Sequence, residues 1–195
     1  MAKASTKASA KPAGKFPAWD GKVPLAATAV VKRLEGFFPQ PYDDNGNLPG
    51  GTWTIGYGTI QDAGGKPVTP QTPAITEPQA EALLLRDMLG AAGAVQRRVQ
   101  VPLDEMQAAA LISWVYNLGE GSLRKSSLLV RLNAGDSAGV PDEMRKWINQ
   151  EGKPLVGLLR RHWAEAAIFM GMDATNAVVR AWRDIDDLGD WPEFA

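Results

Sequence analysis

Glu35 and Asp44 are the two residues whose types and spacing could do chemistry. Glu35 closes an apolar, helix-like segment and is followed by Gly36, and Asp43 and Asp44 lie on a turn just beyond it. Eight residues separate Glu35 from Asp44. That is too far for one helical face, which needs spacings of three or four. A reversal at Asn45-Gly46 would fold a hairpin back beside the helix end and let the two acids face each other. Two carboxylates across a groove are the minimum equipment for hydrolysing a glycosidic bond, one protonating the leaving oxygen and the other directing water. The first role needs a carboxyl that keeps its proton, and Val31, Leu34 and Phe37 supply apolar sequence neighbours for Glu35. The plainer alternative is a surface Glu at a helix end, where negative charge is mildly unfavourable. Asp44, on a polar turn, suits an ionised partner that orients water. Asp before Asn-Gly is also simply a good turn former.

The elements that must position these groups follow from periodicity and punctuation. Leu25, Ala29, Val30 and Leu34 fall near helical spacing, predicting a first helix over 25–35 that Gly36 ends. Pro39 and Pro41 prevent its continuation. Asn-Gly and Pro-Gly-Gly punctuate Thr, Trp, Ile and Tyr across 42–60, which predicts a hairpin or small sheet, and 61–75 is a Gly/Pro loop. Thr76 and Gln79 form a capping-box pattern at the start of a long helix. Asp104 and Gln107 repeat it before Ala108–Leu118, apolar almost all round and therefore a central buried helix, stopped by Gly119. Helices follow near 123–133, 142–148, 155–170 and 174–182, with no further strand signal. The expected fold is α+β and mainly helical.

Length, composition and charge remove several classes of function. With 195 residues, 45% of them hydrophobic, the chain can build the core of one domain. The net charge of -1 argues for neither nucleic acid nor a membrane surface. The ends are polarised: residues 1–22 hold five Lys and one Asp, and 184–195 hold five acids and no base. Residues 1–22 read as a flexible basic tail, either a solvated leader or an attraction to an anionic wall. No Cys is present, so no disulfide is possible, and a single His makes a zinc site unexpected. No apolar run reaches the roughly 18–20 residues of a membrane span, and the N-terminal stretch lacks the apolar core of a secretory signal. There is no Gly-x-Ser-x-Gly elbow and no phosphate-binding loop. The Arg pairs at 97–98 and 160–161 are too sparse for a nucleic-acid stripe.

Further residues suit a sugar groove. Thr54 lies on the expected strand, where Thr is common in any case. Gly56 and Gly58 would let a sugar chain approach the backbone. Trp53 and Trp114 offer flat faces for sugar, with core packing the stronger expectation for Trp114. Asn117 could bond an N-acetyl or hydroxyl group, or cap a helix. Arg160 and Arg161 could meet acidic peptide stems, or form structural ion pairs or exposed charge. His162 is expected to be an exposed or packing residue rather than a catalyst.

The order of these motifs resembles the phage-type lysozymes, the endolysins of glycoside hydrolase family 24. The matching residues are Glu35-Gly36, Tyr42-x-Asp44, and Thr54-Ile55-Gly56-x-Gly58. Later matches are Trp114-Val-Tyr-Asn-Leu-Gly, the stretch from Ser126 to Asp136, Trp147, and Gly157 through Glu165. Together they cover about 24–171. Asp43 is one residue too early for the family spacing. The resemblance implies a small hairpin-bearing lobe joined by a long helix to a helical lobe, with a catalytic domain over 23–171; residues 172–195 lie outside it and read, from spacing and charge, as a C-terminal helix and acidic tail. It also implies cleavage of the β-1,4 bond between N-acetylmuramic acid and N-acetylglucosamine of peptidoglycan, with inversion. Glu35 would be the general acid, Asp44 would assist water and Thr54 would place it. Tyr42, Trp53, Gly56, Gly58 and Asn117 would contact the substrate. No metal or cofactor is implied. The expected protein is a monomer that rests in the host cytoplasm until a membrane-permeabilising holin admits it to the wall, and that does not insert in the membrane. Two departures stand out: nine residues separate Asp44 from Thr54 where the family usually has five, and Thr59 replaces the usual His. A non-catalytic wall-binding or virion module, and a lytic transglycosylase, are the rival readings.

Overall fold

The computed structural model describes residues 16–44 and 51–194. Residues 1–15 and the Asn45-Gly46 reversal therefore lie outside the described residues. The elements run α1 (Leu25–Glu35), β1 (Phe38–Asp43), β2 (Trp53–Gly56), α2 (Glu77–Arg98), α3 (Glu105–Lys125), α4 (Ser127–Asn133), α5 (Val140–Arg145), β3 (Asn149–Gln150), β4 (Lys153–Pro154), α6 (Val156–Phe169) and α7 (Ala174–Asp184). The α+β, mainly helical architecture is as expected.

The helix boundaries follow the local chemistry. α1 stops at Glu35 because Gly36 takes φ 73°, a conformation that costs an L side chain about 1–2 kcal/mol. At α3, Asp104 Oδ1 accepts the Gln107 amide at 2.9 Å while Gln107 Oε1 accepts the Asp104 amide at 3.1 Å. The capping box is thus closed in both directions. Gly119 breaks α3 with φ 81° and ψ 159°, but helical geometry resumes and runs to Lys125.

Two strand features differ from the sequence expectation. β1 begins at Phe38, not 42, and carries Pro39 and Pro41. The sheet has only β1 and β2, so each strand has an edge where a missing N–H costs nothing. A bulge between Phe38 and Tyr42 absorbs the irregular pairing. A second small hairpin, β3–β4, turns through Glu151 and Gly152, both at positive φ (52° and 78°). That geometry suits a primed turn, but the flanking strands are too short to leave a periodic pattern.

α2 packs against both β2 and α3 and so joins the hairpin lobe to the helical lobe. α3 is the centre of the core: Ala108 to Val115 are all buried, and its small residues let α1, α2 and α6 approach closely. Trp114 is fully buried and meets Trp147 edge-on at 5.2 Å.

Both ends of the described chain pack on this body. The Trp19 amide donates to Leu103 O at 2.9 Å and the Glu105 amide to Pro17 O at 3.0 Å, and Trp19 lies against the core. The basic tail expected over 1–22 therefore gives way to packed chain from about Pro17. At the other end the Trp163 indole donates to Pro192 O at 2.8 Å and stacks on Phe194 at 5.5 Å. No helix among the described residues is long and apolar enough to cross a membrane.

Candidate active site

Glu35 projects from the last residue of α1 with about a fifth of its side chain exposed (21%). Arg161 Nη1, from α6, donates to Glu35 Oε1 at 2.7 Å. Arg161 is nearly buried (8% exposed), and its Nε also reaches Glu165 Oε1, one turn along α6, at 3.4 Å. Burial works against charge on Arg161, but Glu165 and Glu35 outweigh it and hold the guanidinium charged.

The other oxygen of Glu35 faces the hairpin lobe. A Cβ built on Gly58 would lie 3.6 Å from Glu35 Oε2 and 3.8 Å from the Tyr116 hydroxyl. Gly58 has φ 93°, and it is this positive φ that favours glycine there. Tyr116, from α3, donates to Tyr57 O at 2.8 Å. Burial raises the Tyr116 phenol above its usual range, and the charges of Glu35 and Asp87 add to the effect. A groove of about 640 Å³ opens from this point, lined among others by Gly58, Ile60, Gln61, Asp87 and Tyr116.

The hairpin supplies the remaining candidates. Tyr42 and Thr54 lie directly opposite in the β1–β2 register, so their side chains share one face of the ribbon. Thr54 is 5% exposed, and its hydroxyl has no hydrogen-bond partner among the described residues. Asp44 is exposed, one residue beyond β1, where its Oδ1 accepts the Thr52 amide at 2.8 Å. Asp43 is half-buried opposite Trp53, itself half-buried. Asn117 is exposed.

Gly56 differs from its expected role. It is buried, and a Cβ there would meet Ala80 Cβ at 3.0 Å and Ile75 Cδ1 at 3.3 Å. Its small size serves the packing of β2 on α2, not sugar approach.

The two arginines also divide. Arg160 turns away toward the C-terminal segment, where its Nε donates to Ile185 O at 2.8 Å and its guanidinium lies 5.8 Å from the centre of the Trp182 ring. Arg161 meets the acid itself, not a peptide stem. His162 is fully buried, which removes the exposed alternative.

Thr59, at the place of the expected His, donates its hydroxyl to Asp87. Arg86 joins the same cluster, with Nε on Asp87 Oδ1 at 2.9 Å and Nη1 on Asp62 O at 2.7 Å. This fastens the loop after β2 to α2 beside the groove.

Tyr116 and Glu165 belong to the site without standing out as single candidates in the sequence. An Arg and a Glu four apart on a helix buried almost all round, as at 161 and 165, are a usable signal, because charges in such a stripe must find partners.

A phage lysozyme family model matches residues 32–165. The endolysin of Acyrthosiphon pisum secondary endosymbiont phage 1 is 35% identical over 144 residues, 72% of this chain and 92% of that protein. An endolysin structure from Escherichia coli O157:H7 phage FAHEc1 superposes with a TM-score of 0.69 at 32% identity, covering 79% of this chain and 96% of that one. The muramidase domain of SpmX from Asticaccaulis excentricus superposes with a TM-score of 0.66 at 30% identity, covering 77% and 99%.

Proposed function

The chain belongs to the phage lysozyme family, and from that membership we propose that it is an endolysin hydrolysing the β-1,4 bond between N-acetylmuramic acid and N-acetylglucosamine in peptidoglycan. The observation that carries the assignment of the acid is the division of labour on Glu35. Oε1 is held by Arg161, while Oε2 faces Gly58 and Tyr116 where the groove opens.

In this reading Glu35 gives its proton to the glycosidic oxygen as the bond to the anomeric carbon breaks. Asp44 takes a proton from the attacking water, and the buried Thr54 hydroxyl, with hydrogen-bonding capacity to spare, fixes that water's position. Attack from the face opposite the leaving group inverts the anomeric centre, which requires carboxylates far enough apart to admit water. Tyr42, Trp53, Gly58 and Asn117 contribute sugar contacts along the ribbon and groove. The work needs no metal or organic cofactor. We further propose that the protein acts as a monomer, resting in the host cytoplasm until a membrane-permeabilising holin admits it to the wall.

The test is turnover of purified peptidoglycan by the wild type and Glu35→Gln, with mass spectrometry of the products. Reducing muropeptides from the wild type, reduced about 10²–10⁴-fold in the variant, are expected for loss of a general acid. Equal turnover by both proteins overturns the assignment. Anhydro-muramic products point to a transglycosylase, and wall binding without turnover points to a binding module.

A further inference from the structure

Glu35 is the outer end of a buried chain of polar groups that runs into α6. One cation, Arg161, serves two carboxylates: Nη1 reaches Glu35 at 2.7 Å and Nε reaches Glu165 at 3.4 Å. Glu165 is fully buried, and its Oε1 also accepts the Ser113 hydroxyl at 2.6 Å. Its Oε2 lies 2.7 Å from Nδ1 of His162, likewise fully buried and the chain's single histidine. Two polar atoms along this line, Arg161 Nη2 and His162 Nε2, have no hydrogen-bond partner among the described residues.

We propose that Glu165 and His162 are positioning residues for catalysis: they act through Arg161 to set how readily Glu35 holds the proton it must deliver. The proposal rests on the reading of Glu35 as the acid. An undivided Arg partner favours the carboxylate over the acid. Glu165 divides that partner. The two carboxylates and one guanidinium sum to one negative charge, and a proton on Glu35 returns them to neutrality. His162, through Nδ1, holds Glu165 in place for this division.

Further charge faces the site from Asp43 and Asp44 at the end of β1 and from Asp87 of α2, which acts on Tyr116 and is bound by Arg86 and Thr59. α1 contributes Glu35 itself, and α3 contributes the hydroxyls of Ser113 and Tyr116. Glu143 of α5 is bound by Ser127, Lys146 and Arg131, and Arg180 of α7 is paired with Asp184 and lies over the Trp163 ring.

The experiment follows the side-chain carboxyl carbon of Glu35 by NMR through a pH titration without substrate, beside the pH profile of peptidoglycan turnover. Glu165→Gln keeps the shape of the side chain and gives Arg161 to Glu35 alone. Glu35 should then take up its proton at a pH lower by roughly one unit, and the alkaline limb of the activity profile should move with it. That is about a tenfold loss of rate at a fixed pH above the limb. His162→Leu fills the buried space but removes the Nδ1 contact that holds Glu165 against Arg161, and should move both midpoints the same way by a smaller step.

Folded variants whose Glu35 midpoint does not move would overturn the proposal, whatever happens to the rate. If Glu165→Gln does not fold, His162→Leu decides alone. A midpoint that moves while the activity limb stays would instead overturn Glu35 as the acid.

Discussion

Replacing Arg161 by Met keeps much of the apolar stem and removes the cation shared by Glu35 and Glu165. Breaking a buried ion pair by deleting one partner costs about 3–5 kcal/mol, because the remaining charge is left uncompensated. Two features place this case at the lower end. Glu35 keeps about a fifth of its exposure (21%), so water can solvate it in part. Glu165, wholly buried, keeps Ser113 and His162. A loss of about 3 kcal/mol is expected, which for a chain of this size lowers Tm by about 6–12 °C.

The pH dependence of that loss has a definite sign. Burial tends to raise the Glu165 carboxyl, but His162, Arg161 and Ser113 outweigh it and hold it below the usual carboxylate range. A lowered folded value contributes stability that is present above the unfolded pKa and lost as pH falls through the folded one. Arg161 supplies part of that contribution. The gap between wild type and variant should therefore be widest near neutral pH and narrow as pH drops below about 4. Urea unfolding followed by circular dichroism at a series of pH values measures it. A gap under about 1 kcal/mol at neutral pH, or one independent of pH, would refute the reasoning.

Other substitutions probe the frame around the site. Gly56→Ala puts a Cβ at φ 70° and 3.0 Å from Ala80 Cβ. It should cost at least about 1–2 kcal/mol in thermal unfolding, whereas retained stability would mean that β2 can shift on α2. Tyr116→Phe deletes the hydrogen bond to Tyr57 O and should lower the urea midpoint by about 1 kcal/mol of stability. Phe194→Ala removes the ring stacked on Trp163. A loss of about 1–2 kcal/mol, with altered Trp fluorescence, is expected if the C-terminal segment is held as described.

The local devices were legible in the sequence. Gly36 ends α1 at Glu35, and Asp104 with Gln107 caps α3, because each depends on residues within a turn of one another. The strand over Phe38–Asp43 was not, since two prolines argue against a strand until the sheet is known to have only two members. The candidate site divides in the same way. Glu35, Thr54 and Gly58 are marked by a compact motif. The partner of Glu35 is not: Arg160 and Arg161 are neighbours of the same type, and only the rotation of α6 in the packed core sends one to the acid and the other to Ile185.

The bond between Glu35 and Arg161 also ties the site to the order of synthesis. It spans 126 residues, and Arg161 lies on a helix whose neighbour Trp163 is covered by Pro192 and Phe194. During translation the hairpin and α2 can form early from local signals, but the acid meets its cation only after α6 has left the ribosome. Contacts of such separation come late because their loop-closure entropy must be met first. A chain stalled before residue 161 can hold the whole Glu35–Gly58 motif and still lack the arm that holds the acid. Completion of the proposed catalytic site is thereby coupled to completion of the helical lobe.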